Sequence, residues 1–377
     1  MKTVRILLVS IFLVSACREP AWGGNDGDTP LAEAVRQEGG SIFCLRTPRF
    51  PEYVHVLKDG SGLISFDITD ICRLDVATGA VVVLTKKPLP VREISPAPDG
   101  QAVAFLSKGD NTSDVFVLDC QTGLVTNLTK GVGNALLPAW SPDGKQIAFV
   151  SDRVGDWRVF VMAPDGAGVQ QVGDWNAMNV LQNLDIQPGA VRWGMRSLHW
   201  MSDARRLLIK LNVGTAEQPS MKYVGRILTV GRGDMQEGTA PPPRDGVLSH
   251  DDRWFVSSYW GPSRLWRNNA SIGADWRTTA LFISEITDVT KKRLLYDGGP
   301  KVWCSSPAWS PSDEMVVFEW GEERRSLQPL LKRGDTEHPW VTEVALAVVS
   351  VRSGRFERLT DARDYDWREP QWVRKNP

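Results

Sequence analysis

Leu137-Pro138-Ala139-Trp140-Ser141-Pro142-Asp143-Gly144, followed at once by Gln146-Ile147-Ala148-Phe149-Val150-Ser151-Asp152, constrains this chain more than any other stretch. Much of the same frame returns at Ser306-Pro307-Ala308-Trp309-Ser310-Pro311. Weaker copies stand at Glu93-Ile94-Ser95-Pro96-Ala97-Pro98-Asp99-Gly100 and at Leu198-His199-Trp200-Met201-Ser202-Asp203. A unit this small cannot bury a core alone, so recurring copies have to stack against one another.

In the best copy, Pro138-Ala139-Trp140 reads as a short strand that starts on proline, where no ladder donor is needed. Ser141-Pro142-Asp143-Gly144 is then a turn: proline presets φ, aspartate bonds nearby backbone, and glycine accepts φ > 0. Ile147 to Val150 is a second strand and Val159 to Met162 a third. Asp165-Gly166 signals a hairpin leading to a fourth strand around Val169 to Val172. The turn aspartate recurs at Asp59, Asp99, Asp143, Asp203 and Asp251, with Ser312 in its place in a sixth copy, in steps of 40, 44, 60, 48 and 61 residues. Third and fourth strands are read at Ile71 to Asp75 with Ala80 to Thr85, at Asp114 to Leu118 with Leu124 to Thr129, and at Ala345 to Val351 with Phe356 to Thr360. Gly231 to Asp245 shows no clear fourth strand for copy four. The expected fold is all-β: a six-bladed β-propeller of four-stranded antiparallel blades over residues 41–377, whose sheets bury both faces against their neighbours.

These repeats resemble the WD-repeat-like propeller repeats of the TolB type, which also occur in the propellers of prolyl oligopeptidases and dipeptidyl peptidases. The resemblance covers roughly residues 50 to 375, with blades two, three and six the nearest in pattern. It implies the propeller and little about activity, because functions differ widely among such families. Only 17 residues follow Thr360, and no Gly-x-Ser-x-Gly elbow is present, so no hydrolase domain of the peptidase kind is expected. The small α/β domain that precedes the propeller in TolB proteins is not expected either. Glu369-Pro370-Gln371-Trp372 repeats the first-strand pattern with no blade after it. Pairing with residues around Ser41 to Leu45 would close the ring and remove an exposed strand edge.

At the other end, Met1-Lys2-Thr3-Val4-Arg5 precedes an apolar run from Ile6 to Val14 and then Ser15-Ala16-Cys17. A basic start, a short apolar core and small residues describe a signal peptide over residues 1–16. Val14-Ser15-Ala16-Cys17 also resembles a bacterial lipobox, which implies lipid attachment at Cys17; ordinary cleavage near Ala16 is the plainer alternative. Residues 17–40, rich in Gly, Asp and Pro, read as a flexible tether with one helical turn near Leu31 to Arg36. The expected address is the cell envelope: the periplasmic face of an outer membrane, or the cell surface. Forty-four Lys and Arg balance 45 Asp and Glu, and no basic run stands out, so nucleic acid is not an expected partner. Of the remaining cysteines, Cys44 and Cys72 are the nearest candidates for a disulfide, with buried free thiols favoured for all four.

In a meander, turns one-to-two and three-to-four lie on one face of the disc, and the other connections lie on the opposite face. That second face carries the long insertions: Thr215 to Lys222 in blade four, Gly261 to Arg277 in blade five and Gly321 to Glu343 in blade six. Long loops on a rigid ring are the usual place for recognition. Trp254, Trp260, Trp266 and Trp276 crowd into 23 residues of a chain with 16 tryptophans in 377. Trp254 and Trp260 are expected to pack between blades. Trp266 and Trp276, beside Arg267 and Asn268, suit a sugar ring or a peptide, although the loop folding over its own indoles explains them equally. Arg324, Arg325 and Trp340 in the blade-six insertion, with Trp303 and Trp367 at the channel mouth, complete the candidate binding surface.

The histidines His55, His199, His250 and His338 have no metal-ligand spacing, so no metal or cofactor is expected. His199 and His250, near first strands of adjacent blades, are accounted for by packing. Asp361, Asp364 and Asp366 either gather acidic charge near the channel or solvate a loop. Two functions follow. The first is an envelope lipoprotein that binds a protein or a glycan without catalysis. The second is a carbohydrate-active enzyme, a polysaccharide lyase or glycoside hydrolase, with its site on the insertion face.

Overall fold

The computed structural model describes residues 30–48, 69–87, 89–108, 112–155, 157–173, 195–213, 222–232, 234–238, 246–260, 278–299, 302–325, 340–362 and 365–374. They form six four-stranded antiparallel sheets, the six-bladed propeller that the repeat predicts. Blade one takes β1 (Ser41–Pro48), β2 (Asp70–Asp75) and β3 (Val81–Val83) from the start of the chain. Blade two is β4 (Val91–Pro96), β5 (Ala102–Lys108), β6 (Ser113–Asp119) and β7 (Val125–Asn127). Blade three is β8 (Ala135–Trp140), β9 (Ile147–Ser151), β10 (Arg158–Met162) and β11 (Gln170–Gln171). Blade four is β12 (Met195–Trp200), β13 (Arg206–Val213), β14 (Lys222–Thr229) and β15 (Met235–Gly238). Blade five is β16 (Val247–Leu248), β17 (Trp254–Trp260), β18 (Thr278–Glu285) and β19 (Asp288–Asp297). Blade six is β20 (Val302–Trp309), β21 (Met315–Arg325), β22 (Trp340–Ser350) and β23 (Phe356–Arg358).

β24 (Tyr365–Val373) then returns to blade one and pairs with β1, from Ser41↔Val373 to Pro48↔Tyr365. The expected partner of Glu369-Pro370-Gln371-Trp372 is therefore the observed one. One expectation needs correcting. Sheet order β24-β1-β2-β3 makes β24 the first strand of blade one and β1 the second. Asp59 thus lies in the stretch joining the second and third strands, outside the described residues, and not in a first turn. The missing fourth strand of blade four is β15, whose Met-Gln-Glu-Gly sequence lacks any apolar alternation.

The core sits between blades. Six apolar clusters each combine side chains of two neighbouring blades: Phe43 and Ile71 of blade one meet Val103 and Phe105 of blade two, and Ala104 and Val115 of blade two meet Phe149 and Phe160 of blade three. Each buried Phe of this kind contributes on the order of 2–3 kcal/mol by leaving water. Indole nitrogens stitch the same interfaces. Trp200 donates to the Ala139 carbonyl at 2.9 Å and Trp309 to the Val247 carbonyl at 3.0 Å, each reaching the preceding blade.

The turns after the first strands interlock along one rim. Their fourth residue is left-handed in every copy: Gly100, Gly144, Ala204, Asp252 and Asp313 have φ of 68, 72, 52, 59 and 60°. Where that residue carries a carboxylate, it grips the turn before it. Asp252 accepts from the Ser202 amide and hydroxyl, and Asp313 accepts from the His250 and Asp251 amides at 3.0 and 3.1 Å.

Blade one has no such turn, because its first two strands come from opposite ends of the chain. A helix, α1 (Pro30–Glu38), takes the place. Its Glu38 accepts from the Ser312 amide and hydroxyl, both at 2.8 Å. Leu31 and Val35 are buried among Ile42, Met315, Val317 and Trp372. Gly40 passes so close to the Val373 carbonyl that a Cβ would collide with it. The expected tether is thus, over residues 30–40, a packed part of the ring; Leu31, Ala32 and Val35 give this short helix one apolar face. No described helix is long and apolar enough to cross a membrane.

Cys44 and Cys72 stand directly opposite each other on β1 and β2. They are buried free thiols, as favoured from the sequence, and burial pushes the Cys72 thiol up to about 12.

Candidate functional site

The second rim is where second strands end and third strands begin. There β1 and β2 are joined by residues 49–69, β13 and β14 by 214–221, β17 and β18 by 261–277, and β21 and β22 by 326–339, against only 109–112 in blade two and 152–157 in blade three. The blade-six insertion is shorter than Gly321 to Glu343, because β21 and β22 continue as a hairpin to the pair Arg325↔Trp340. The unbroken charged run Glu322 to Arg325 hid those last rungs. The blade-one stretch 49–69 was missed because Asp59-Gly60 imitates a first turn. Blades four, five, six and one are neighbours in the ring, so the long connections occupy one continuous arc of this rim.

Four candidates, Trp266, Arg267, Asn268 and Trp276, lie outside the described residues, as does Cys17. Arg324 pairs with Val341 and Arg325 with Trp340 in the backbone ladder, which brings these three candidates together on one hairpin. Trp303 lies across from Gly321 and rests on it: a Cβ on Gly321 would occupy the indole's position. Trp303 keeps part of its surface exposed. Trp367 does not. It is buried at the blade six–blade one interface, and its indole donates to the Asp361 carbonyl at 2.8 Å, so it is a packing residue and not a contact surface.

Beside them, near the same end of blade one, Arg46 bonds Asp70 at 2.8 Å and lies 4.1 Å over the Tyr365 ring. Thr85 adds a 3.3 Å hydroxyl bond to Asp70. The matching position of blade two, Asp114, is buried and accepts from Thr112, Asn127, Thr129 and the Gly131 amide. These aspartates tie third strands to the ends of fourth strands, a structural use. On the low side of the rim, Val132 and Val154 are 53% exposed and Trp157 37%.

The channel wall holds the carboxylates that sequence reading missed. Each of them accepts an amide from the first strand of the next blade. Glu319 of β21 accepts from the Glu369 amide at 2.8 Å and from the Ser305 hydroxyl at 2.8 Å. Glu369 accepts from the Ile94 amide at 3.3 Å, and Glu93 from the Leu137 amide at 2.7 Å. Glu93, Leu137, Ser306 and Glu369 all have φ near 50°. The ladder of each of their strands slips beside them, so each is a bulge; the Glu93 and Glu369 side chains turn toward the next blade and the Leu137 and Glu369 amides toward the preceding one. Burial first, and the Glu319 charge second, push the Glu369 carboxyl up to about 7; burial also raises Glu93. The signal was present in the sequence: Glu93 and Glu369 hold the place of Leu137 and Ser306 in the first-strand motif.

Two of the other chemical candidates, His250 and Asp366, are engaged in bonds within the fold. His250 has its Nδ1 2.7 Å from Asp313 on the tight rim. Asp366 accepts from the Val344 amide at 3.2 Å and lies 3.8 Å from Arg368. Asp364, His55 and His338 are outside the described residues, and among those described no three His, Cys, Asp or Glu gather as a metal site.

The fold defines a six-bladed propeller built of TolB-type meanders. Residues 67–188 match the TolB beta propeller domain family, covering part of blade one and all strands of blades two and three. Among solved structures, TolB from Acinetobacter baumannii is similar at a TM-score of 0.54 and 16% identity, over 89% of this chain. This chain spans 66% of that TolB chain, just under two thirds. Hydrazine synthase of Kuenenia stuttgartiensis is similar at a TM-score of 0.50 and 11% identity, over 92% of this chain and 48% of its own. An oligogalacturonate lyase from Vibrio parahaemolyticus overlaps at a TM-score of 0.42 and 12% identity, over 66% of this chain and 68% of its own, too weakly to bear on function. Identities this low establish the fold alone. No curated protein sequence matches the chain significantly.

Proposed function

We propose that this chain is a cell-envelope lipoprotein, anchored through Cys17, whose propeller binds a partner protein or surface glycan without catalysis. The observation that carries the reading is the difference between the rims. One is locked turn to turn, whereas the other bears the long connections between second and third strands on a single arc from blade four to blade one. A rigid ring with variable loops on one side is the usual build of a recognition module. Trp303, Arg324, Arg325 and Trp340 belong to that arc, with Trp266, Arg267, Asn268 and Trp276 in the adjoining blade-five connection.

A carbohydrate-active enzyme is the second reading, and Glu369 is the observation that favours it, since a carboxyl near neutrality suits a general acid. Its bonding favours structure instead: Glu369 and the carboxylates on either side each accept a backbone amide of another strand.

The test is binding of candidate envelope proteins and glycans by the intact propeller. Trp266→Ala and Trp340→Ala should each weaken binding by about 2 kcal/mol, as aromatic hot spots do, with unchanged melting. Lys145→Ala and Asp165→Ala on the tight rim should leave it intact. A ligand lost on altering the tight rim alone would reject the proposed face. Cys17→Ser should move the protein out of the detergent phase; continued partition and acylation would reject the anchor.

A further inference from the structure

The closing strand β24 is joined to blade one by pairing with β1, with no covalent turn between the blade's first and second strands. Any device that holds or releases β24 therefore governs the whole ring. Three acidic side chains from three blades meet at that strand. Glu319 of blade six uses both oxygens as acceptors, from the Glu369 amide and the Ser305 hydroxyl. Glu369 reaches on to the Ile94 amide of blade two. Glu93, the residue before Ile94, reaches on to blade three.

We propose that this relay is a proton-dependent latch on the closing strand: β24 is held most firmly while Glu369 is neutral, and its hold weakens when Glu369 ionises between Glu319 and Glu93. The electrostatic reason is that like charges in a partly buried wall repel with little screening. Among the described residues no cation offsets them at Glu369. Of the strands packed on β24, β21 presents Glu319 and β4 presents Glu93. Arg92 of β4 favours the ionised form of Glu93. On β24 itself Arg368 lies by Asp366, while Arg46 of β1 is bonded to Asp70. β22 contributes Glu343, opposite Glu322 of β21, and β20 only the buried thiol of Cys304.

The sign follows from linkage. An acid whose pKa rises on folding, here to about 7 from an ordinary 4.5, binds its proton more tightly when folded. Its stabilisation is complete below the unfolded value and is lost as pH rises through about 7. Glu369→Gln mimics the neutral acid and keeps an oxygen for the Ile94 amide. Between pH 5 and pH 8 the folded-to-unfolded ratio of the wild type should fall about 50-fold relative to this variant. The measurement is urea unfolding of the full chain at both pH values, with amide exchange of β24 and β1 as the local readout. Protection of these strands, corrected for the intrinsic rise of exchange with pH, should fall between about pH 4.5 and 7 in the wild type relative to the variant. Parallel pH profiles for the two proteins would overturn the latch. Should the variant not fold, carbon-13 titration of the wild-type Glu369 carboxyl decides: a midpoint near 7 upholds the proposal, and one near 4.5 overturns it.

Discussion

The two rims are made by the same strands and differ in almost everything else. On the tight rim each first turn closes in four residues, and its last residue is left-handed in all five copies. Asp252, Asp313 and Glu38 carry bonds from turn to turn, with α1 standing in for the turn that blade one lacks. On the opposite rim the strands run to unequal lengths: β21 and β22 have 11 residues each, whereas β9 and β10 have five. The repeat thus holds the ring together from one side and leaves the other free to vary. The interlocked turns and the long connections lie at opposite ends of the same strands.

The largest effect should come from removing the closing strand. Truncation before Tyr365 takes away the whole β24 ladder, exposes β1 as an edge and deletes Trp367 and Trp372 from the blade six–blade one core. Loss of one buried Trp costs on the order of 3–5 kcal/mol, and the pair together with the ladder should exceed the stability of a typical domain. The expected product is an aggregate with no cooperative melt, by size-exclusion chromatography and circular dichroism. A soluble, cooperatively melting monomer would mean that the tight rim and α1 hold the ring without β24.

The difference between the rims also explains what could be read in advance. The turns were legible because Pro, Asp and Gly do local work that any copy must repeat, as at Asp99-Gly100 and Asp143-Gly144. The closing strand was legible because Glu369-Pro370-Gln371-Trp372 copies Leu137-Pro138-Ala139-Trp140. Asp59-Gly60 misled for the same reason, since a turn dipeptide has one local chemistry wherever it occurs. The helical turn expected near Leu31 to Arg36 is part of α1, but its packing escaped, because so short a helix is held by a surface that the sequence does not display. The channel acids escaped because Glu93, Glu319 and Glu369 are far apart along the chain and meet only when the ring closes.

The smallest predicted effects are the sharpest on whether the tight rim is a chain of bonds or only a row of turns. Ala204, Asp252 and Asp313 occupy one turn position, and each is an L-residue with φ between 52 and 60°. Glycine relieves that backbone strain at any of them. At Ala204 no side-chain bond is lost, so Ala204→Gly should stabilise the protein by about 0.5 kcal/mol. At Asp313 the same relief is set against the bonds from the His250 and Asp251 amides and the contact with the His250 ring. Such bonds contribute roughly 1 kcal/mol each when partly exposed, so Asp313→Gly should destabilise by about 1 kcal/mol. Opposite signs at one turn position, measured by urea unfolding near pH 7, would establish the interlock. Stabilisation by both substitutions would reduce the tight rim to independent turns. The separation of roles would then rest on the loops alone.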